Sequence, residues 1–557
     1  MSKVVFKKIP FQSPELFAED IYNRIPDSHP VRLVDMVVDK LDITNIIKSY
    51  KGGGTSSFHP RMMIKVLFYG YLSNTYSCRK IAKSLNENIH FMYLAGNSIP
   101  DFRTINDFRG KRLKGKIQDL FAEVVRMLVE MGYVSLDVQY IDGTKIESAS
   151  GRYTFVWRGS VEKNKEKLET KINKILSAID QSIQSDNQET NQEALPKAID
   201  SEALKNKLAE INKRLKAPTK QQDKELEKLQ KEHLPRLEKY EKQLETLGDR
   251  NSYSKTDEDA TFMRMKEDHM KNGQLKPAYN TQISTENQFI THVSIHQKPG
   301  DTTTLEPHLN GFEQAHGKQS KEVCADAGYG SEENYEMMEN KGIEAYVKYN
   351  YFHKEQKRKM KNDPFLVQNM FYNKEQDFYV CPMGQRMERI GQGTRKSGTG
   401  YHSNISYYQA KNCRGCPLRG MCHQAKGNRR IEVNHRLNEL KYQAKELLTG
   451  EKGIEHRSKR PIEVEAVFGQ LKNNNKFSRF TLRSLVNVEI EFLLMALGHN
   501  LRKWAKNLSQ NQPNPKPNMP NPSIKHPSHL SYSSNVKKEL YSTHNIPLLI
   551  LQQKIAA

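Results

Sequence analysis

VSLDVQYIDGTKIES (Val134 to Ser148) is the stretch whose reading decides the fold. An amphipathic helix leads into it: Ile117, Leu120, Phe121, Val124, Val125, Leu128 and Met131 recur at helical spacing, and Gly132 is suited to end it. The period then changes to two. Val134, Leu136, Val138 and Tyr140 share one strand face, with Ser135, Asp137 and Gln139 opposite. Asp142 is expected at the strand's end on the apolar side, followed by the turn pair Gly143-Thr144. A carboxylate buried there without a partner is costly, so its presence points to a metal or to strong hydrogen bonds. Asp142 is therefore the first candidate metal ligand.

Two later stretches repeat the theme. In EVCADAGYGSEENY, Glu322 to Ala325 reads as a short strand with Asp326 at its end, and Ser331 caps the helix that follows. A β-hairpin, KPAYNTQISTENQFITHVSIH (Lys276 to His296), precedes it with a turn at Thr285-Glu286-Asn287, and a further strand is expected over Glu344 to Tyr349. In HRSKRPIEVEAVFGQLKNNNKFSRFTLRS, Pro461 opens a helix whose core stripe is Val464, Val467, Phe468 and Leu471. Glu465 and Lys472 stand two helical turns apart on one face. Asp142, Asp326 and Glu465 thus form an acidic triad able to hold two Mg²⁺ (or Mn²⁺) ions about 4 Å apart, which activate an attacking water or 3′-hydroxyl and stabilise the leaving oxygen of a phosphodiester. Taken singly, Asp326 could cap a turn and Glu465 could pair with Lys472 on a helix surface.

The chain has 557 residues, enough for two or three domains, with 36% hydrophobic and 9% aromatic residues. Its 87 basic against 65 acidic side chains leave a formal charge of +22, which favours a polyanionic partner such as nucleic acid. No run of roughly 18 apolar residues is present for a membrane span, and the first residues lack the apolar core of a signal peptide. Six cysteines, four of them clustered, suggest a reducing compartment and a metal site rather than a disulfide framework.

Residues 1–130 read as helical, with Ser13-Pro14-Glu15 and His59-Pro60 as helix starts. SCRKIAKSL (from Ser77) and DFRTINDFR (from Asp101) carry Arg79, Lys80, Lys83, Arg103 and Arg109, a pattern that fits a helix-turn-helix-like reader of a DNA groove or a solvated basic face. Residues 158–250 form a charged helical arm. Its stripes are Leu168, Ile172, Ile175, Ile179 and Ile183; then Leu204, Leu208, Ile211 and Leu215; then Leu226, Leu229, Leu237, Leu244 and Leu247, with Pro235 as a kink. Dimer contact, DNA-backbone contact and a plain solvated insertion are all open for the arm. Within 377–430, Cys381, Cys413, Cys416 and Cys422 match thiolate zinc spacing and could form a closed structural Zn²⁺ site. His402 and His423 are possible substitutes, and an iron–sulfur cluster is an alternative. Trp157 could stack on a flipped base or lie in a core. Residues 431–505 close the core with the Glu465 helix, and the Pro/Asn-rich tail 506–557 is expected to lack order.

The segments YIDGTKIES, CADAGYGSEENY and EVEAVFGQLKNNNKFSRFTLRS, together with FHPRMMIKVLFYGYL through DFRTINDFR, resemble DDE-type insertion-sequence transposases of the IS5/IS1182-like group. The resemblance spans nearly all of the chain to about Trp504. It implies an α/β, ribonuclease-H-like catalytic core (a mixed sheet with flanking helices) split into 131–157, 251–376 and 431–505, preceded by the helical domain. It also implies Mg²⁺-dependent cutting at element ends and strand transfer into target DNA. The family's glutamate signature is Y-x2-R-x3-E-x6-K. Glu465 and Lys472 meet its second half; Pro461 stands where the arginine belongs, Arg460 is one residue early, and Ser458 replaces the tyrosine. Glu463 is the fallback third acid. Lys472, Arg460, Arg479, Arg103 and Arg79 are the expected DNA contacts. The partners implied are double-stranded DNA, both the terminal inverted repeats and the target, and a second copy of the chain on that DNA. The compartment implied is a bacterial cytoplasm, at the nucleoid. A catalytically dead DNA-binding derivative and a nuclease without strand transfer are the competing readings.

Overall fold

The computed structural model describes residues 21–50, 57–187, 199–214, 219–265 and 273–510. The cap at Ser13-Pro14-Glu15, Leu215, the side chain of Ile183 and the tail beyond Gln510 lie outside the described residues. The chain forms two units, one of residues up to Val134 with those from Phe492, the other Ser135–Glu491.

The first unit is helical. Histidine opens two of its helices: His59 Nδ1 accepts the N–H of Arg61 at 3.2 Å ahead of Pro60–Leu72, and His29 does the same for Val31 ahead of Pro30–Lys40. Proline supplies a pre-set φ in the first turn, and the imidazole satisfies an amide left over there. Val34, Ile64, Phe68, Phe91, Leu128, Leu494 and Leu501 are buried between these helices and the last one. Gly498 permits a close helix approach, since a Cβ there would stand 2.8 Å from the backbone carbon of Tyr71. The two basic helices expected to form a pair, Cys78–Glu87 and Phe102–Asp107, are separated by a third, Ile89–Ala95, which ends on the left-handed Gly96. They are not joined by the tight turn of a helix-turn-helix.

The second unit is built on a mixed sheet. In chain order its strands are β1 (Val138–Glu147), then a two-stranded ribbon of β2 (Phe155–Trp157) and β3 (Ser252–Ser254), then β4 (Thr261–Arg264), β5 (Leu275–Glu286), β6 (Phe289–His296), β7 (Glu322–Ala325) and β8 (Glu344–Val347). The sheet order is β4-β5-β1-β7-β8, with β6 also on β5. β5 is antiparallel to β1, β4 and β6, whereas β7 and β8 run parallel to β1. Parallel strands need crossovers, and the helices Leu305–His316 and Glu332–Asn340 supply them. The hairpin β5–β6 turns at Asn287-Gln288, both with positive φ (51° and 59°), the twist a two-residue hairpin favours. β1 departs from expectation. It starts four residues later than Val134, after Leu136 in the left-handed region (φ 63°), and runs five residues past Asp142, held by the β5 ladder from Tyr140↔Thr285 to Glu147↔Ala278. Asp142 is therefore a mid-strand residue.

The arm is a bundle with its own core. Arg158–Asn187 packs against Ser201–Arg214 and the run Lys220–Leu247, burying Leu168, Ile172, Leu176, Ile179, Leu204, Leu208, Ile211, Leu226, Leu229, Leu237 and Leu247. Its stripes face one another, so they are not a seam open to a partner chain. Pro235 does not break the last run; a wider π-turn, Leu229–His233, precedes it and absorbs the lost hydrogen bond.

The cysteine-rich region forms an antiparallel sheet of β9 (Tyr372–Asn373), β10 (Phe378–Val380), β11 (Arg386–Lys396), β12 (His402–Ala410) and β13 (Arg430–Val433). The acidic helix Glu332–Asn340 holds it to the core. Glu332 accepts from Ser403 Oγ at 2.5 Å and from Asn434 Nδ2 at 2.6 Å, Glu336 accepts from Tyr401 at 2.7 Å, and Arg436 pairs with Glu336 and Glu339.

Candidate active site

The helix that carries Glu465 is one continuous run, Glu451–Asn474, with two π-turns in it, Pro461–Glu465 and Gln470–Asn474. Pro461 was expected to open a helix; it lies inside one instead. Proline has no N–H and its ring clashes with the carbonyl four residues back, and a π-turn, bonded i to i+5, relieves both. The wider turn stacks residues five apart. Arg460 and Glu465 are five apart, and their side chains meet: Arg460 Nη1 lies 3.0 Å from Glu465 Oε1. In an ordinary α-turn residues five apart diverge around the axis. The one-residue displacement of Arg460 from the R-x3-E spacing is thus taken up by the π-turn. The second π-turn removes the simple basis for placing Lys472 on the face of Glu465, because seven residues no longer equal two turns.

A buried relay sets the register of this helix. Tyr140 in β1 bonds His456 Nδ1 at 2.9 Å, and His456 Nε2 bonds Glu322 in β7 at 2.9 Å. Burial, with the nearby acids, pushes the Tyr140 phenol above its ordinary range. One turn after His456, Arg460 enters the centre. Its side chain is only 6% exposed, and Nη2 lies 3.4 Å from Asp142 Oδ1. Asp142 also accepts the N–H of Gly143 at 2.9 Å.

Asp326 follows β7 directly, as expected, and begins the 3₁₀ turn Ala327–Tyr329. Lys348 Nζ lies 3.7 Å from its Oδ1. Burial raises the Asp326 carboxyl, but Arg460, the Ala327 N–H and Lys348 outweigh it and hold the group below its usual range. Two of the three acids expected to act together, Asp142 and Glu465, thus meet at one guanidinium, whose charge also helps to lower the Asp326 carboxyl. Tyr329, buried beside Asp142, donates to Gln282 in β5, whose amide donates to Asn280 at 3.0 Å. Glu463 turns elsewhere: it accepts the N–H of Gln288 at 2.6 Å in the β5–β6 turn.

Hard oxygen donors from three segments gathered about one cation are the donor set that suits Mg²⁺ or Mn²⁺. Among the described residues, no group of three or more His, Cys, Asp or Glu side chains stands close enough to hold a metal ion. The four clustered cysteines form no such group either. Cys381, Cys413, Cys416 and Cys422 line one pocket and all are free thiols. Arg429 enters that pocket, its backbone N–H 3.3 Å from Cys413 Sγ and its Nη1 2.8 Å from Cys422 Sγ. His423 lines the same pocket, whereas His402 lies in β12 and is exposed.

The expected DNA-contacting arginines divide. Arg479 bonds the carbonyls of Ser148 and Ser150 at 2.9 Å each, and Arg483 bonds that of Ala149, so this pair anchors the loop after β1. Arg79 and Arg103 are exposed and flank the ring of Phe102 at 5.1 and 5.7 Å. Arg109 is buried, donating to Tyr71, Tyr76 and Asn106. Trp157 is half-buried against Phe155 and Phe262. Lys348 and the His456 relay carry no sequence signal of their own; each is brought in by the sheet order.

Two stretches match family models. Residues 380–505 match one described as "Transposase DDE domain", and residues 19–111 match "Transposase domain (DUF772)". The first contains Glu465 and the four cysteines but neither Asp142 nor Asp326. No curated protein and no solved structure matches the chain.

Proposed function

We propose, for a chain that its two matched regions mark as a DDE-type insertion-sequence transposase, that it binds the ends of its element, cuts them and joins them to target DNA at the centre formed by Asp142, Asp326 and Glu465. The observation that carries this reading is the meeting of Asp142, from mid-strand, and Glu465, from a helix, at Arg460, with Asp326 at the end of the strand that pairs with β1. The mixed sheet with crossover helices supports a ribonuclease-H-like core. The group among insertion-sequence families stays an expectation.

In this reading the carboxylates hold divalent cations, which supply a polarised nucleophile and charge stabilisation at the phosphodiester. The chain's own residues do the positioning. The ladder with β5 fixes Asp142, the end of β7 fixes Asp326, and the Tyr140–His456–Glu322 relay fixes the helix bearing Glu465. Lys348 and Arg460 counter the anionic charge that carboxylates and phosphate bring together. The basic excess of the chain, with exposed Arg79 and Arg103, supplies backbone attraction to duplex DNA. The four cysteines would hold a structural Zn²⁺, and bringing two ends together calls for at least a dimer on DNA in the cytoplasm, at the nucleoid.

The test is cleavage of end-labelled duplex carrying the DNA that flanks the gene, with Mg²⁺ or chelator. Metal-dependent nicking at a fixed position, lost in Asp142→Asn, is expected. Tight binding without cleavage in Mg²⁺ or Mn²⁺ would refute catalysis and leave a DNA-binding protein with a dead core.

A further inference from the structure

Arg460 is held in an unusual way for a buried arginine. Its two terminal nitrogens are divided between two carboxylates on different elements, Asp142 at 3.4 Å and Glu465 at 3.0 Å. Its Nε is buried with no hydrogen-bond partner. A guanidinium fork that docks on one carboxylate uses its donors in pairs. Here the fork is spread, one donor is orphaned, and the whole side chain is 6% exposed. Such a geometry satisfies the carboxylates better than it satisfies the arginine. The charge cannot leave as a proton, because guanidinium does not deprotonate in proteins. A divalent cation entering between these acids therefore meets a fixed positive charge already in place.

We propose that Arg460 is the resident counter-ion of the acidic centre and is exchanged for the divalent cation. It is a positioning residue that keeps the acids apart yet electrically balanced until metal arrives, and it then turns its fork toward the phosphate that metal and DNA bring. The π-turn at Pro461–Glu465 lets one side chain reach both carboxylates, since it sets Arg460 directly beside Glu465. This inference rests on the reading that the acids bind a divalent cation, and the experiment separates the two.

Mn²⁺ alone is titrated into the full-length, DNA-free protein, with free Mn²⁺ read by electron paramagnetic resonance, for wild type, Arg460→Gln, Arg460→Lys and Asp142→Asn. Removing a like charge at contact range should tighten binding on the order of tenfold in Arg460→Gln. Arg460→Lys, whose single ammonium cannot span both acids, should fall between, and Asp142→Asn should lose binding. If Arg460→Gln binds Mn²⁺ no more tightly than wild type while Asp142→Asn loses it, the counter-ion role is overturned and the metal reading stands. If wild type and Arg460→Gln show no binding that depends on Asp142, the metal reading itself fails. A second readout uses wild type alone: phenylglyoxal modification of Arg460, followed by peptide mass spectrometry, should rise on saturation with Mn²⁺. Unchanged protection would overturn the exchange even if the variants did not fold.

Discussion

Lowering the pH from 7.5 to 5 should destabilise the second unit well before its carboxylates titrate. The reason is a cluster of histidines between β6 and the helix Leu305–His316. His308 is fully enclosed, its Nε2 2.8 Å from Ser284 and its Nδ1 2.7 Å from Ser294, and its ring centroid lies 4.9 Å from that of His292. Burial lowers all three pKa values. His292 falls to about 3, with His316 and His296 adding repulsion; His296 falls to about 4, partly offset by Asp301; and His308 falls well below its ordinary value. The folded state therefore keeps these rings neutral, whereas the unfolded chain protonates them below pH 6.5. Their contribution is fully present above 6.5 and is lost as pH falls from 6.5 toward the folded values. Each ring then loses about 1.4 kcal/mol per pH unit, or about 2 kcal/mol by pH 5, and three together about 6 kcal/mol. That is comparable with the whole stability of a domain, about 5–15 kcal/mol. The chain has two tryptophans, Trp157 and Trp504, one in each unit. In a Trp504→Phe background Trp157 fluorescence reports the second unit alone, and urea titrations at pH 7.5, 6.5, 5.5 and 5 give the slope. His308→Gln should remove about one proton's worth of that slope. Stability that stays flat between pH 7.5 and 5 would refute the cluster's role. A loss that begins only below pH 4 would point to Asp326, whose lowered pKa acts in that separate window.

Other outcomes are equally specific. Cys416→Ser should abolish bound zinc in metal analysis of the purified protein and lower the melting temperature, whereas wild type that carries no zinc when purified without chelator would remove the structural-metal proposal. Gly498→Ala should destabilise the first unit by about 1–3 kcal/mol, because the new methyl group meets the Tyr71 backbone; unchanged Trp504 unfolding would contradict that packing. Deleting Pro461 places Arg460 four residues before the catalytic glutamate, an α-helical spacing, and should leave the protein folded and metal-dependent nicking intact. A misfolded deletion would show that the π-turn does more than absorb one residue.

What was legible in the sequence was whatever depends on short-range rules. Asp326 at a strand end, the Ser331 cap and the His59-Pro60 helix start each need only neighbours in the chain, and each is where its pattern places it; the β5–β6 hairpin forms too, but its turn falls at Asn287-Gln288 rather than at Thr285-Glu286-Asn287. Asp142 is legible as a candidate, but its place along the strand is not, because β1 is prolonged by pairing with residues 278–285, more than 130 positions away. The helix of Glu465 departs from its pattern for a different reason. Spacing along a sequence is counted in α-turns, and a proline-induced π-turn changes the count, so Arg460 looked displaced when it is in contact. The arm's stripes were visible, but whether a stripe faces its own bundle or another chain depends on how the helices fold back. Arginines gave the least. Arg79, Arg103, Arg109 and Arg479 look alike in the sequence; burial singles out Arg109, and bonds to the Ser148 and Ser150 carbonyls single out Arg479, which is exposed like Arg79 and Arg103.

The most direct test of the acidic centre compares four single changes on one substrate: Asp142→Asn, Asp326→Asn, Glu465→Gln and Glu463→Gln, each scored for Mg²⁺-dependent nicking at the element end. The first three should each lose activity by on the order of a thousandfold or more, as expected when a metal-holding carboxylate is neutralised. Glu463→Gln, whose carboxylate is engaged with the Gln288 amide in the β5–β6 turn, should keep most of it. Full activity in Glu465→Gln, or a loss in Glu463→Gln as deep as in Asp142→Asn, would contradict the assignment of the third acid.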